Sequence, residues 1–311
     1  MILAFVLMAL GLVALAGGAD ILVRGASRLA MALGISPLVV GLTIVAMGTS
    51  APELAVSIAA AISGSSDIAL GNIVGSNIAN IGLIMGVAAL MAPVAISAPM
   101  RPYFPIMIAA VAAVPVLGWD GRLGRVDGAL LVVAAVAYMW WMVKRPHPET
   151  ETPEPDHGEG FFHTRLGHAV MILGGLVALV VGSKLLVDGA TTIARGFGVS
   201  ERVIGLTLVA VGTSLPEMAT SIAAALRGNA AITVGNVLGS NIANVLAILG
   251  PTALVQPIAS PRTPGAVLDA VVMIGFAAVF AVFAFAFPRL GRVGGAIFVV
   301  AYTAYCVSLF V

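Results

Sequence analysis

The strongest constraint on this chain is that it repeats itself. Residues 18–86 align with 182–250 at a constant offset of 164 and without a gap, with 37 identities in 69 positions. The longest shared strings are GTSxPE, at 48–53 and 212–217, and GNxxGSNIAN, at 71–80 and 235–244. Self-similarity on this scale means two units built to one plan. Whether the units lie parallel or inverted depends on the medium they occupy and on how often each crosses it.

Composition decides the medium. The 311 residues are 60% hydrophobic and only 9% charged, with a mean hydropathy of +1.10. Soluble domains carry about 25% charged residues, so the chain reads as a polytopic membrane protein. Apolar segments long enough to span, about 20 residues each, fall near 2–29, 36–62, 67–92, 102–118 and 126–143, then 166–195, 201–226, 230–256, 265–287 and 290–311. Five crossings per unit place equivalent helices in opposite directions. The expected fold class is therefore all-α, with ten transmembrane helices in two inverted five-helix repeats, residues 1–143 and 165–311. Between them, residues 144–164 are proline-rich, contain five acids and read as a hydrophilic linker.

With the N-terminus outside, nine Lys and Arg residues fall at inner ends and six outside. That bias favours a cytoplasmic linker and residence in the cell (inner) membrane as a multi-pass protein. The apolar N-terminus lacks the positive start of a signal peptide and reads as a retained first helix. Cys306 is solitary and expected simply to pack. A net charge of +1 without a basic block excludes a nucleic-acid partner. The partner expected at this point is the bilayer, with no cofactor and no obligate protein partner evident. His147, His157 and His163 lie in or beside the acidic linker, where a solvated loop is favoured over a metal site. Asp20 with Arg24, and Lys184 with Asp188, are opposed i,i+4 pairs expected to neutralise each other near the ends of helices 1 and 6.

Against this apolar background, Glu53 and Glu217 stand out. An acid at a helix centre costs roughly 2.5–3.5 kcal/mol on insertion scales, and no Lys or Arg lies at matching depth in the flanking sequence. Each follows a proline, Pro52 and Pro216, which lacks the N–H that the carbonyl of Gly48 or Gly212 would use. A kink there is expected to free further carbonyls around Ala46 and Ala210. Thr49 and Ser50 place hydroxyls on the helix face of Glu53, as Thr213 and Ser214 do for Glu217. The following helices carry polar stripes, Asn72, Ser76 and Asn80, then Asn236, Ser240 and Asn244, with Asn77 and Asn241 beside them. Asn72 and Asn236 read as inter-helix glue.

The chemistry is all oxygen. No His or Cys accompanies it, which disfavours zinc, copper and iron. Hard oxygens around two carboxylates suit Ca2+, and equally Na+, better than Mg2+ with its strict octahedron. An intramembrane protease would need an Asp pair, a Ser/His pair or HExxH; none is present, so the chain is not expected to be an enzyme.

The paired GTSxPE and GSNIAN segments resemble the alpha-repeats of the calcium/cation antiporter superfamily, and within it the compact prokaryotic sodium/calcium exchangers. The resemblance covers the ten-helix layout and is most specific over 41–86 and 205–250. It implies a central cation site between helices 2, 3, 7 and 8. Glu53 and Glu217 would be principal ligands, joined by oxygens of Thr49, Ser50, Thr213 and Ser214 and by the Ala46 and Ala210 carbonyls. Ser76, Asn80, Ser240 and Asn244 would complete it. It also implies that helices 1 and 6 slide across this core, to which Gly17, Gly18, Gly25, Gly174, Gly175, Gly182 and Gly189 are suited. Potassium-dependent relatives carry Asp at the position of Asn244, and proton-coupled ones an extra acid and a histidine beside the motifs. Neither is present here, so Na+/Ca2+ antiport by alternating access is expected, with Ca2+/H+ or other cation antiport as the alternative and a channel less so.

Overall fold

The structure, a computed structural model, describes residues 2–144, 160–197, 210–260 and 263–309. Helix α1 (Ile2–Leu33) is followed by α2 (Pro37–Thr49) and α3 (Ala51–Ile62), two arms of one span bent by 44°. Next come α4 (Ser66–Met91), α5 (Tyr103–Leu117) and α6 (Arg125–Lys144). The second half holds α7 (Arg165–Gly196), α8 (Ala210–Thr213), α9 (Leu215–Leu226), α10 (Ala230–Val255), α11 (Pro264–Ala286) and α12 (Arg292–Ser308). Among the described residues, seven helices are long and apolar enough to cross a membrane, and the α2–α3 pair makes an eighth. The α8–α9 segment and the 17-residue α12 stand where the seventh and tenth spans are expected. The expected start of the seventh, 201–209, and most of the linker lie outside the described residues.

Sequence explains where the inner helices end. Ser36 caps α2 by accepting the Leu38 N–H at 3.2 Å, with Pro37 in the first helical position, where its missing N–H costs nothing. Gly64 and Gly228 adopt φ of +79° and +69°, which side chains other than glycine's rarely tolerate. Each closes its helix with a paired C-terminal motif: Ser65 N–H to the Ala60 carbonyl, and Asn229 N–H to that of Ala224.

Burial sets the layers. The most apolar windows of α4 and α10 are 78% and 94% buried, against 28% for α1, α7 and α11. Helices α4 and α10 are therefore the centre, packed against α2, α3 and α9, while α1, α7 and α11 turn most of their surface outward. The two halves are also stitched by short strands. β1 (Val94–Ala95) pairs antiparallel with β4 (Arg289–Leu290), and β2 (Arg122–Leu123) with β3 (Ile258–Ala259), each joining a loop of one half to a loop of the other. The sequence offered no alternating pattern for these two-residue pairings.

Helices α1 and α7 run antiparallel, in backbone contact. A Cβ on Gly11 would sit 2.6 Å from Leu186 N, one on Gly18 3.0 Å from the Gly175 carbonyl oxygen, and one on Gly182 2.9 Å from that of Gly11. Gly25 and Gly189 are equally tight, whereas Gly17 and Gly174 meet nothing within 4 Å. The glycine face is thus spaced by seven residues and includes Gly11, which the sequence reading passed over.

Two expectations about charge change. Asp20 lies well inside the 32-residue α1, not near its end. It bonds Arg24 at 3.0 Å as expected, but also accepts from Arg227 Nε at 2.8 Å, just past α9. No ion pair joins Lys184 to Asp188 among the described residues, so the two pairs are not equivalent. Asn229 Nδ2 donates to Ser27 Oγ at 2.9 Å beside the Asp20 cluster, adding a second tie from the core to α1.

Candidate ion-binding site

Both spans break where the motif predicts, one residue before the segment carrying the acid. Ser50 (φ −82°, ψ 9°) separates α2 from α3, and Ser214 (φ −89°, ψ 4°) separates α8 from α9. Pro52 and Pro216 fall in the first turn of the following helix, which needs no N–H from them. Glu53 and Glu217 are each 2% exposed, with no Lys or Arg partner among the described residues.

The hydroxyls reach across the repeat, not along their own helix. Ser50 Oγ donates to Glu217 Oε1 at 2.8 Å, and Ser214 Oγ to Glu53 Oε1 at 3.2 Å. This corrects the expectation that each Thr-Ser pair shares the helix face of the acid that follows it: the breaks at Ser50 and Ser214 turn the serine side chains toward the opposite unit. Thr49 Oγ1 lies 3.0 Å from the Val45 carbonyl, and 3.3 Å from both the Ala46 carbonyl and Asn236 Oδ1.

Behind each acid stands a buttress. Asn72 Nδ2 donates to the Glu53 carbonyl at 3.2 Å and to Ser57 Oγ at 2.9 Å; Asn236 Nδ2 repeats this with the Glu217 carbonyl at 3.3 Å and Ser221 Oγ at 2.9 Å. The expected glue role of Asn72 and Asn236 is thus what the geometry shows. Ser57 and Ser221 were missed, although both repeats place a serine four residues after the acid.

The carbonyl expectation needs correcting. The last turn of α2, Ala46–Thr49, is α-helical, so the Ala46 carbonyl keeps the Ser50 N–H at 3.0 Å and is not freed. The Gly212 carbonyl, which Pro216 cannot serve, accepts from Ser183 Oγ on α7. Position 19, the counterpart of Ser183, is alanine, so this tie exists in one half only. In the second half the Ser214 N–H turns to the Val211 carbonyl at 3.1 Å.

Helices α4 and α10 contribute the remaining groups. Ser76, Asn80, Ser240 and Asn244 are all buried, as are Thr213 and Ser214. Both inner helices widen into a π-helical stretch starting at their third asparagine, Asn80–Met85 and Asn244–Leu249, and α2 does so over Gly41–Val45. Such widenings concentrate at functional sites, and no local propensity announces them. Among the buried groups without a hydrogen-bond partner are Glu53 Oε2, Glu217 Oε2, Asn77 Oδ1, Asn241 Oδ1, Ser240 Oγ and the Asn244 amide. Buried carboxylates without a compensating charge are strongly unfavourable. A donor set with one spare oxygen on each acid, hydroxyls and amides matches a hard, oxygen-seeking cation.

An inverted, multi-pass bundle with paired buried carboxylates at its centre is the architecture of a membrane carrier. Comparison narrows the class. A family model described as sodium/calcium exchanger protein matches residues 3–144 and 167–311, and the chain belongs to that family, whose members are transporters and not enzymes. The membrane protein MJ0091 of Methanocaldococcus jannaschii is 34% identical over 238 residues, 76% of this chain and 75% of its own length. The inner membrane protein YrbG of Escherichia coli is 36% identical over 59% of each chain. The fold is that of the sodium-calcium exchanger NCX_Mj soaked with 10 mM Na+ and zero Ca2+: TM-score 0.87, 33% identity and 99% of both chains covered.

Proposed function

We propose that this chain is a Na+/Ca2+ antiporter in which Na+ entry drives Ca2+ extrusion by alternating access. The observation that carries the reading is the reciprocal arrangement of Ser50 on Glu217 and Ser214 on Glu53, each acid keeping one buried oxygen unpartnered. Two carboxylates neutralise one Ca2+ or two Na+, so the ions compete for one charge-balanced site. The empty, doubly charged site crosses reluctantly, which enforces exchange. Ligands would be Glu53, Glu217, Thr49, Ser50, Thr213, Ser214, Ser76, Asn80, Ser240 and Asn244, with the Ala210 carbonyl. Ala46 could join only after its carbonyl gives up a protein donor. The likeness to NCX_Mj, whose structures were obtained with Na+, Ca2+ and Sr2+, supports the choice of ions.

Alternating access is assigned to α1 and α7. Their glycine-lined contact lets the pair move as one body, and an apolar seam faces the core, where Leu22, Val23, Ala26 and Leu179 cluster with Val40, Val45, Leu215 and Ile232. We assign the repeats to 1–143 and 165–311, the intervening linker to the cytoplasm, and the N-terminus to the outside of the cell membrane. The test is Ca2+ uptake into Na+-loaded proteoliposomes. Uptake that follows the outward Na+ gradient is expected; uptake indifferent to Na+ but driven by a pH gradient would replace the reading with Ca2+/H+ antiport, and flux without a counter-ion would make it a channel.

A further inference from the structure

The face of the bundle that holds the end of α4, the start of α5, the end of α11 and the start of α12 carries an arginine the transport site does not use. Arg101 stands two residues before α5, half-buried, with its Cζ 5.8 Å from the Phe285 ring centroid. Its Nε is buried without an acceptor, and one turn earlier the Ser97 hydroxyl is buried without a partner too. Ser97 precedes the turn Ala98–Met100 but makes no capping bond to it. Two orphaned donors four residues apart on one face call for an acceptor from outside the fold.

The surroundings define that acceptor. Arg289 lies opposite Ala95 in the β1–β4 pairing, two residues before Ser97, and Arg292 opens α12 on the same face. Both are exposed. No carboxylate lies on this stretch from Val94 to Arg101 or from Phe285 to Arg292. The ligand is therefore an anion with several acceptor oxygens. Beside the guanidinium, Val282 and Phe285 at the end of the outward-facing helix α11 and Phe287 just past it are 65%, 52% and 51% exposed. A free inorganic anion gains nothing from that apolar strip, whereas acyl chains cover it. Basic pockets between helix ends at the membrane surface take anionic headgroups in this way, and a guanidinium suits a phosphate through its fork of donors.

We propose that Arg101 and Ser97, flanked by Arg289 and Arg292, form a binding site for the phosphate of an anionic phospholipid, whose chains lie along Val282, Phe285 and Phe287. The site is separate from the ion path and does not depend on which cations are exchanged.

The test uses the full-length protein in detergent with phosphatidylglycerol, phosphatidylcholine of the same chains, or inorganic phosphate. Lipid retained in native mass spectra and the thermal midpoint are read together. Phosphatidylglycerol is expected to be retained and to raise the midpoint, with Arg101→Gln binding it at least tenfold more weakly. Arg122→Gln, in β2 away from this site, should bind as the parent does. Ser97→Ala removes one hydroxyl only and keeps the comparison available if Arg101→Gln does not fold; several-fold weaker retention is expected there. Equal retention by the parent and either variant overturns the proposal, as does a midpoint shift that inorganic phosphate reproduces in full.

Discussion

At the scale of single residues, the site is a set of exchanges between halves. Because Ser50 serves Glu217 and Ser214 serves Glu53, neither acid is organised by its own repeat alone. Glu53→Gln and Glu217→Gln should each abolish Na+-driven Ca2+ uptake while leaving an inserted, monodisperse protein, since each keeps the shape but removes half the compensating charge. Wild-type uptake by either variant would remove the acids from the site. Ser183 offers a finer probe. Its hydroxyl holds the Gly212 carbonyl beside Thr213 and Ser214, and a neutral buried hydrogen bond contributes about 1 kcal/mol. Ser183→Ala should therefore shift apparent ion affinity roughly fivefold, with Ser183→Thr restoring part of it. Concentration dependence of uptake measures both.

At the scale of elements, the contact between α1 and α7 depends on having no side chains. Gly11→Ala places a methyl 2.6 Å from Leu186 N and 2.7 Å from the Gly182 carbonyl oxygen, backbone atoms that cannot turn aside. Overpacking of this kind costs about 1–3 kcal/mol. Gly17→Ala on the same helix meets nothing within 4 Å and should be silent or slightly stabilising. Thermal midpoints of the two variants, with uptake rates, separate a packing role for Gly11 from a general effect of glycine. The Asp20–Arg24–Arg227 cluster and the Asn229–Ser27 bond tie α1 to the α9–α10 connection. Position 63, the counterpart of Arg227, is serine, and position 184, the counterpart of Asp20, is lysine. This fastening therefore has no symmetric twin.

At the scale of the whole molecule, the proposed site, deep and without a countercharge among the described residues, should make stability depend on the transported ion. A ligand that binds only the folded state stabilises it by RT ln(1 + [L]/Kd), about 2.7 kcal/mol at a hundredfold excess over Kd. Ca2+ should raise the thermal midpoint of the parent protein by several degrees, and Na+ should do so at higher concentration. Neither should act on the Glu53→Gln, Glu217→Gln double variant. An equal shift in that variant would place the stabilising ion elsewhere. The paired strands β1–β4 and β2–β3 matter at this scale too, because each fastens one repeat to the other away from the ion site.

Much of this was legible in the residues. The medium follows from hydropathy, and inversion from a repeat with an odd number of spans. The breaks follow from Gly-Thr-Ser-x-Pro-Glu, because proline and glycine act on the chain locally. Ser57 and Ser221 were visible as repeated serines but had no assigned task, since their task lies on another helix. What the sequence alone determined were properties carried by composition, periodicity and local backbone chemistry. Only the tertiary structure decided that the serines cross over, that the Ala46 carbonyl is still engaged, that Ser183 takes the Gly212 carbonyl, and that α4 and α10 widen at Asn80 and Asn244. Each of these depends on which groups meet across the interface between two inverted halves, and a linear string carries no measure of that distance.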